Sequence, residues 1–208
     1  LTSFIVMAVN TYLFKDYFGN AAALSIIGLV QMASMFITVP LVKPLVAKFG
    51  KKEISVVGMA FASVIYIALF FLKGITTMPF IAIVAIAMMS MSFYSFITYA
   101  FISDVIDYHE YLTSLREDAT VYSIVSMSRK IGQAVAGGIG GIAIAAVGYN
   151  ATLGTQPQEV LDGIYMLGTL VPGILYGIVA VVLFLYPLNK QKTIQLSKDL
   201  AAKRNANS

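Results

Sequence analysis

A chain of 208 residues that is 59% hydrophobic and 12% charged, with a mean hydropathy of +0.83, departs from the half-apolar, quarter-charged balance of soluble domains and reads as an integral membrane protein. Its net charge of +4 does not point to nucleic acid, because the basic residues sit between long apolar runs rather than on one soluble face. With no cysteine, the chain has no disulfide, thiolate-ligated zinc or cysteine nucleophile.

A bilayer core needs roughly 20 apolar residues per helix. Stretches of that kind predict spans at about 21–42, 54–72, 78–102 and 163–188. A shorter run at 1–14 opens on Leu1 rather than Met and is expected to be a span whose beginning is missing, so the chain reads as a fragment. A sixth span, 119–147, follows if Arg129 and Lys130 are tolerated inside it. Six spans place the loops 43–53 and 103–118 on the same side as the tail, 189–208. That side holds ten of the 14 basic residues, against Lys15 and Lys73 on the other. The positive-inside rule makes it, and the C-terminus, cytoplasmic. The tail is expected to continue as a solvated or surface-lying helix.

Polar groups interrupt several spans. Asn10 and Tyr12 in the first and Gln31 in the second fit packing hydrogen bonds. In the fourth, Tyr94, Ser95, Thr98 and Tyr99 offer aromatic faces and hydroxyls suited to a sugar, or serve as interfacial anchors. Residues 103–118 follow with Asp104, Asp107, His109, Glu110, Glu117 and Asp118. If helical, they put Asp104 and Asp107 on one face and His109 on another, so no single metal cage is specified. The segment is either solvated loop charge or a gate that forms ion pairs with basic groups on the same side.

The fifth span carries the sharpest signal. An ionised Lys or Arg at a helix centre costs about 2.5 to 3.5 kcal/mol on insertion scales, so such residues usually face a bundle interior or a watery cavity. Ser123, Ser126, Lys130, Gln133 and Gly137 recur at helical spacing on one polar face, with Lys130 roughly 15 Å from the helix start. Arg129, about 100° around, is expected to make a structural ion pair or to snorkel. Gly132, Ala136 and Gly140 form one small-residue row and Gly137 with Gly141 another, both suited to close helix contact.

The segments "SDVIDYHEY", "REDATVYSIVSMSRKIGQAVAGGIGG" and "AVGY" resemble helix ten, the following loop and helix eleven of the glycoside-pentoside-hexuronide:cation symporters, the melibiose-permease-like branch of the major facilitator superfamily. The resemblance covers essentially the whole chain as helices seven to twelve. It implies an all-α membrane bundle of six transmembrane helices, the C-terminal half of a transporter that moves a sugar, glycoside, pentoside or hexuronide with Na⁺ or H⁺ by alternating access. Lys130 matches the family's intramembrane lysine and Ser126 a hydroxyl-bearing site position. With Tyr94, Ser95, Tyr99 and Asn10 they form the expected substrate and cation site. Arg116 matches a loop arginine associated with closing the cytoplasmic side. "KFGKK" resembles the superfamily's basic turn, although Ala47 stands where an aspartate often would. The expected cytoplasmic gate comprises Asp104, Asp107, Arg116, Lys48, Lys51 and Lys52. The implied partners are a small sugar, the lipid bilayer and the N-terminal six helices, in the cell membrane, with no metal and no cofactor beyond the coupling cation. Two other classes compete: an intramembrane metal-dependent enzyme using residues 104–110, and a structural or channel subunit.

Overall fold

The computed structural model describes residues 1–206. Those residues form an all-α bundle. Helix α1 (Thr2–Tyr12) runs into a π-helical turn, Leu13–Tyr17, closed by the Phe18 amide donating to the Leu13 carbonyl at 3.0 Å. Helices α2 (Ala23–Phe49) and α3 (Lys51–Phe71) are separated by Gly50 alone, whose φ of 105° is open to glycine and strained for other residues.

Helix α4 spans Thr77–Thr113, and its 37 residues extend about 55 Å, well beyond a hydrocarbon core of roughly 30 Å. The acidic segment expected as a loop is therefore mostly helix. No glycine or proline interrupts residues 80–113, and Ile102 and Ile106 keep burying one face until Ser114 ends the helix in the left-handed conformation. Helix α5 (Asp118–Ala146) carries Arg129 and Lys130. The last apolar run is divided into α6 (Gln158–Gly168) and α7 (Leu170–Leu185) at Thr169, whose hydroxyl donates to the Tyr165 carbonyl at 2.6 Å. Pro172 explains the break, since it has no N–H to donate one turn back. Helix α8 (Lys190–Ala206) turns back and docks on α4 through buried Leu196 and Leu200.

Among the described residues, four helical stretches are long and apolar enough to cross a membrane: Ala23–Phe49, Lys51–Phe71, Thr77–Thr113 and Gln158–Leu185. Outward-facing apolar side chains such as Phe36, at 74% exposure, and Ile142, at 71%, suit a lipid-facing or partner-facing surface rather than water.

Helix α3 is the hub, packed most extensively against α7 and α4, while α4 also packs on α2 and α1 on α5. Small residues set these distances. A Cβ on Gly58 would lie 2.7 Å from the Ser90 carbonyl oxygen, and one on Gly173 would lie 2.7 Å from Ile67 and 3.0 Å from its backbone nitrogen. At the second crossing the buried Ser63 hydroxyl donates to the Gly173 carbonyl at 2.7 Å. An aromatic cluster closes the end of the bundle near the π-helical turn. There Tyr17 stacks on Tyr165 at 4.6 Å, and the Tyr165 hydroxyl donates to the Leu69 carbonyl at 2.6 Å, at the end of α3.

Of the two small-residue rows on α5, one packs: Ala136 and Gly140 are buried, and a Cβ on Gly140 would meet Ala8 of α1 at 3.0 Å. The other does not, because Gly137 and Gly141 face open space. Gly58→Ala should therefore destabilise the bundle by about 1 to 3 kcal/mol, since backbone cannot yield cheaply, while Gly137→Ala should be neutral or stabilising. Thermal unfolding of the two variants in detergent, followed by size-exclusion of a fluorescent fusion, checks this. Equal melting temperatures would contradict the packing.

Candidate functional site

Between α4 and α5 lies a hollow of about 260 Å³ lined by Tyr99 and Ile102 on one helix and by Tyr122, Val125, Ser126, Arg129, Lys130 and Gln133 on the other. On α5, Tyr122, Ser126, Arg129 and Gln133 recur at intervals of four, three and four, so they form one stripe, with Lys130 on its flank. The Arg129 guanidinium donates to the Tyr99 hydroxyl across the hollow at 3.4 Å. Among the described residues neither Arg129 nor Lys130 is ion-paired, and both are exposed to the hollow. Helix α5 can present these groups because its buried residues are Ala136, Gly140 and Ile144, towards its far end, leaving its first half exposed.

The structure thus brings together Lys130, Ser126 and Tyr99 of the six expected site residues. The other three lie outside the lining. Tyr94 packs against the core, the Ser95 hydroxyl donates weakly to the Met91 carbonyl of its own helix at 3.4 Å, and Asn10 is half-buried on α1. Arg129, expected to serve elsewhere, and Tyr122 join the hollow instead. The signal for both was present in the spacing of the stripe that starts at Tyr122, which passes through Ser126 and Arg129 and leaves Lys130 on its flank.

The charged end of the bundle holds a second constellation. Lys51, the first residue of α3, donates to the Asp104 carboxylate of α4 at 2.5 Å, and the Asp104 side chain is 7% exposed. Around the α4–α5 turn, Arg116 pairs with Asp107 at 3.1 Å, Glu110 at 2.9 Å and Asp118 at 2.9 Å. Arg204 of α8 grips the same Glu110 through two hydrogen bonds of 2.8 and 2.6 Å. Hydrogen-bonded Glu110, then Asp118 and Asp107, hold the Arg116 guanidinium above its usual pKa, so it stays charged at any working pH. Lys52 donates to the Tyr186 carbonyl at the end of α7 at 2.7 Å, and Lys190 to the Ala47 and Lys48 carbonyls at the end of α2 at 2.7 and 3.0 Å. These lysines satisfy helix C-termini, where cations are favoured. Lys48 lies over the Phe49 ring at 5.1 Å and makes no ion pair among the described residues. Arg204 and Glu110 were absent from the expected gate, because their partnership depends on how α8 folds back.

Of the acids that could suggest metal chemistry, Asp104, Asp107, Glu110 and Asp118 are held by Lys51, Arg116 and Arg204. His109 lies 3.9 Å from Glu117 and turns its other ring nitrogen to the Leu115 carbonyl at 3.3 Å. Among the described residues no group of three or more His, Asp or Glu is placed to hold a metal ion.

The described residues thus form a multi-helix apolar bundle with a polar hollow between two long helices and an ion-pair network at one end. Residues 1–190 match the MFS/sugar transport protein family, and the chain belongs to it. It is 31% identical over 202 residues to the uncharacterized symporter YjmB of Bacillus subtilis (strain 168), covering 96% of this chain and 43% of that protein. It is also 31% identical to a putative sulfoquinovose importer of Salmonella typhimurium, over 96% of this chain and 42% of that protein, and to the glucuronide carrier protein homolog of Escherichia coli (strain K12), over 92% and 42%. The chain therefore spans less than half the length of these relatives. Membership of a transport family is what sets the enzyme reading aside.

Lys51→Met should destabilise the protein by about 3 kcal/mol, because it leaves the Asp104 carboxylate buried without a partner. The double variant Lys51→Met with Asp104→Leu should recover most of that loss. Thermal unfolding of the single and double variants measures the coupling; additive losses would contradict a direct pair.

Proposed function

We propose that the chain is the C-terminal six-helix half of a glycoside-pentoside-hexuronide:cation symporter, which moves a sugar or glycoside with Na⁺ or H⁺ by alternating access. In this reading the six spans are α1 with its π-helical turn, α2, α3, α4, α5 and the α6–α7 pair. The charged end and the C-terminus are cytoplasmic.

The observation that carries the proposal is the α4–α5 hollow within a chain of the MFS/sugar transport protein family. At about 260 Å³ the hollow is smaller than the roughly 300 Å³ at which ligand clefts begin, as expected of one wall of a site completed by an N-terminal half. Relatives described as a sulfoquinovose importer and a glucuronide carrier homolog support a sugar-like substrate. Tyr99 and Ser126 contact sugar hydroxyls, and Lys130 couples the substrate to the cation, whose carboxylate ligands come from the N-terminal half. Tyr94, Ser95 and Asn10 form the surroundings of that site on α4 and α1.

The gate is the ion-pair network. Arg116, Asp107 and the Lys51–Asp104 pair, with Lys48 and Lys52 beside them, hold the cytoplasmic ends of the helices together in one state and release them in the other. Exposed pairs such as those of Arg116 are each worth only about 0 to 1 kcal/mol, weak enough to form and break in a transport cycle.

In the full-length protein, Lys130→Ala should abolish uphill sugar accumulation driven by a cation gradient while leaving the protein folded and in the membrane. Uptake into energised vesicles is the measurement, and undiminished uphill accumulation would overturn the coupling role.

A further inference from the structure

Helix α8 is held at both ends by contacts of one kind. At its start, Lys190 donates to the Ala47 and Lys48 carbonyls at the C-terminus of α2, at 2.7 and 3.0 Å, and a Cβ on Gly50, in the α2–α3 turn, would lie 3.0 Å from the Lys190 Cβ. Towards its other end, Lys203 donates to the Tyr111 carbonyl at 3.0 Å and to the Ser114 hydroxyl at 3.3 Å, at the C-terminus of α4, while Arg204 takes both oxygens of Glu110. Each lysine satisfies carbonyls that a helix end leaves without an intrahelical partner, where the helix dipole favours a cation. Leu196 and Leu200 are buried between these anchors. From Lys190 to Lys203 the helix rises about 20 Å, so one stiff element joins the ends of α2 and α4.

The two ends it joins differ in stiffness. Helix α4 has no proline or glycine from residue 80 to its end, whereas the last third of α2 holds Pro40 and Pro44, about one turn apart. Neither proline has an N–H, so the Phe36 and Pro40 carbonyls lose their helical partners on one face. The turns beyond, up to Gly50, therefore hang on a weakened stretch of helix. They also stand off from α4: a hollow of about 510 Å³ separates Val42, Val46 and Ala47 of α2 from Phe96, Ile97 and Ala100 of α4. We infer that α8 is a strap whose two anchors together set the position of the proline-hinged end of α2 against α4. A strap pulls only while both ends hold, so freeing either one lets residues 45–49 swing away from α4. The inference rests on the transport reading for its purpose: the strapped turns carry Lys48 and lead directly into Lys51 and Lys52, three of the gate residues, so α8 biases the charged end of the bundle towards its closed form.

The test is the rate at which a thiol on the hinged turns reacts with a water-soluble maleimide, in full-length, otherwise cysteine-free protein with no solute added. Val46→Cys, half-buried on the hollow, reports the end of α2, and Ala180→Cys, buried in α7, reports general loosening. Lys190→Met should speed labelling of Val46→Cys about threefold or more, as the loss of an exposed charged contact allows, and leave Ala180→Cys unchanged. Lys190→Arg should keep most of the protection. Freeing the far anchor with Leu200→Ala and Arg204→Gln should speed the same site by a similar factor, although these residues lie about 15 to 20 Å along α8 from Lys190. Combining the near and far changes should add little, because a strap cut at one end is already slack. A cap acting only where Lys190 touches α2 predicts no effect of the far anchor. Labelling of Val46→Cys that ignores the far-anchor variant, or near and far effects that multiply, overturns the inference. If the far-anchor variant also exposes Ala180→Cys, Arg204→Gln alone decides by the same outcomes. Sugar uptake by the wild type is measured separately: its absence overturns the transport reading, while the labelling rates still decide whether α8 is a strap.

Discussion

Apolar surroundings raise the free energy of any charge that lacks a partner, and this penalty organises the molecule. Charges at the ends of helices are neutralised by neighbours or spent on helix termini: Lys51 on Asp104, Arg116 and Arg204 on shared carboxylates, Lys52 and Lys190 on exposed carbonyls, and Lys73 on Asp162 at the opposite end of the bundle. Arg129 and Lys130 make no ion pair among the described residues. They lie near the middle of α5, on a wall of tyrosine, serine and glutamine, with no carboxylate in reach among the described residues. Their position on a polar wall leaves these two available for something that binds there.

Packing makes that exposure sustainable. Stability is concentrated around α3, where Gly58 and Gly173 let α4 and α7 approach to backbone contact and a buried serine hydroxyl ties the second crossing. Helix α5 hangs from α1 by its small-residue row at one end and from the acidic turn at the other, so its first half is free to present polar groups.

Much of this could be read from residue order. The apolar runs located the long helices, and the polar face of the fifth put Ser126 and Lys130 on one side, as the hollow has them, because helical periodicity alone sets which residues share a side. Tyr99 could be named from its hydroxyl but not singled out from Tyr94, since which flank of α4 meets α5 depends on tertiary packing. Arg129 was left off the polar face because that face was centred on Lys130. Starting the stripe at Tyr122 instead brings Arg129 onto the face and moves Lys130 to its flank. The partnership of Arg204 with Glu110 could not be foreseen, because it depends on the direction in which α8 turns after Tyr186. Residues 103–113 were read as loop from their charge, although buried Ile102 and Ile106 continue the helical pattern through them.

The central claim is that the α4–α5 hollow faces the path taken by the solute. Because this chain contains no cysteine, a thiol placed in the hollow reports on it alone within an otherwise cysteine-free full-length protein. Ser126→Cys should react with a membrane-impermeant thiol reagent, and saturating sugar substrate should slow that reaction, whereas a thiol at Ile142, on the outward apolar surface, should be indifferent to substrate. Labelling of Ser126→Cys that is unchanged by any transported sugar would contradict the account.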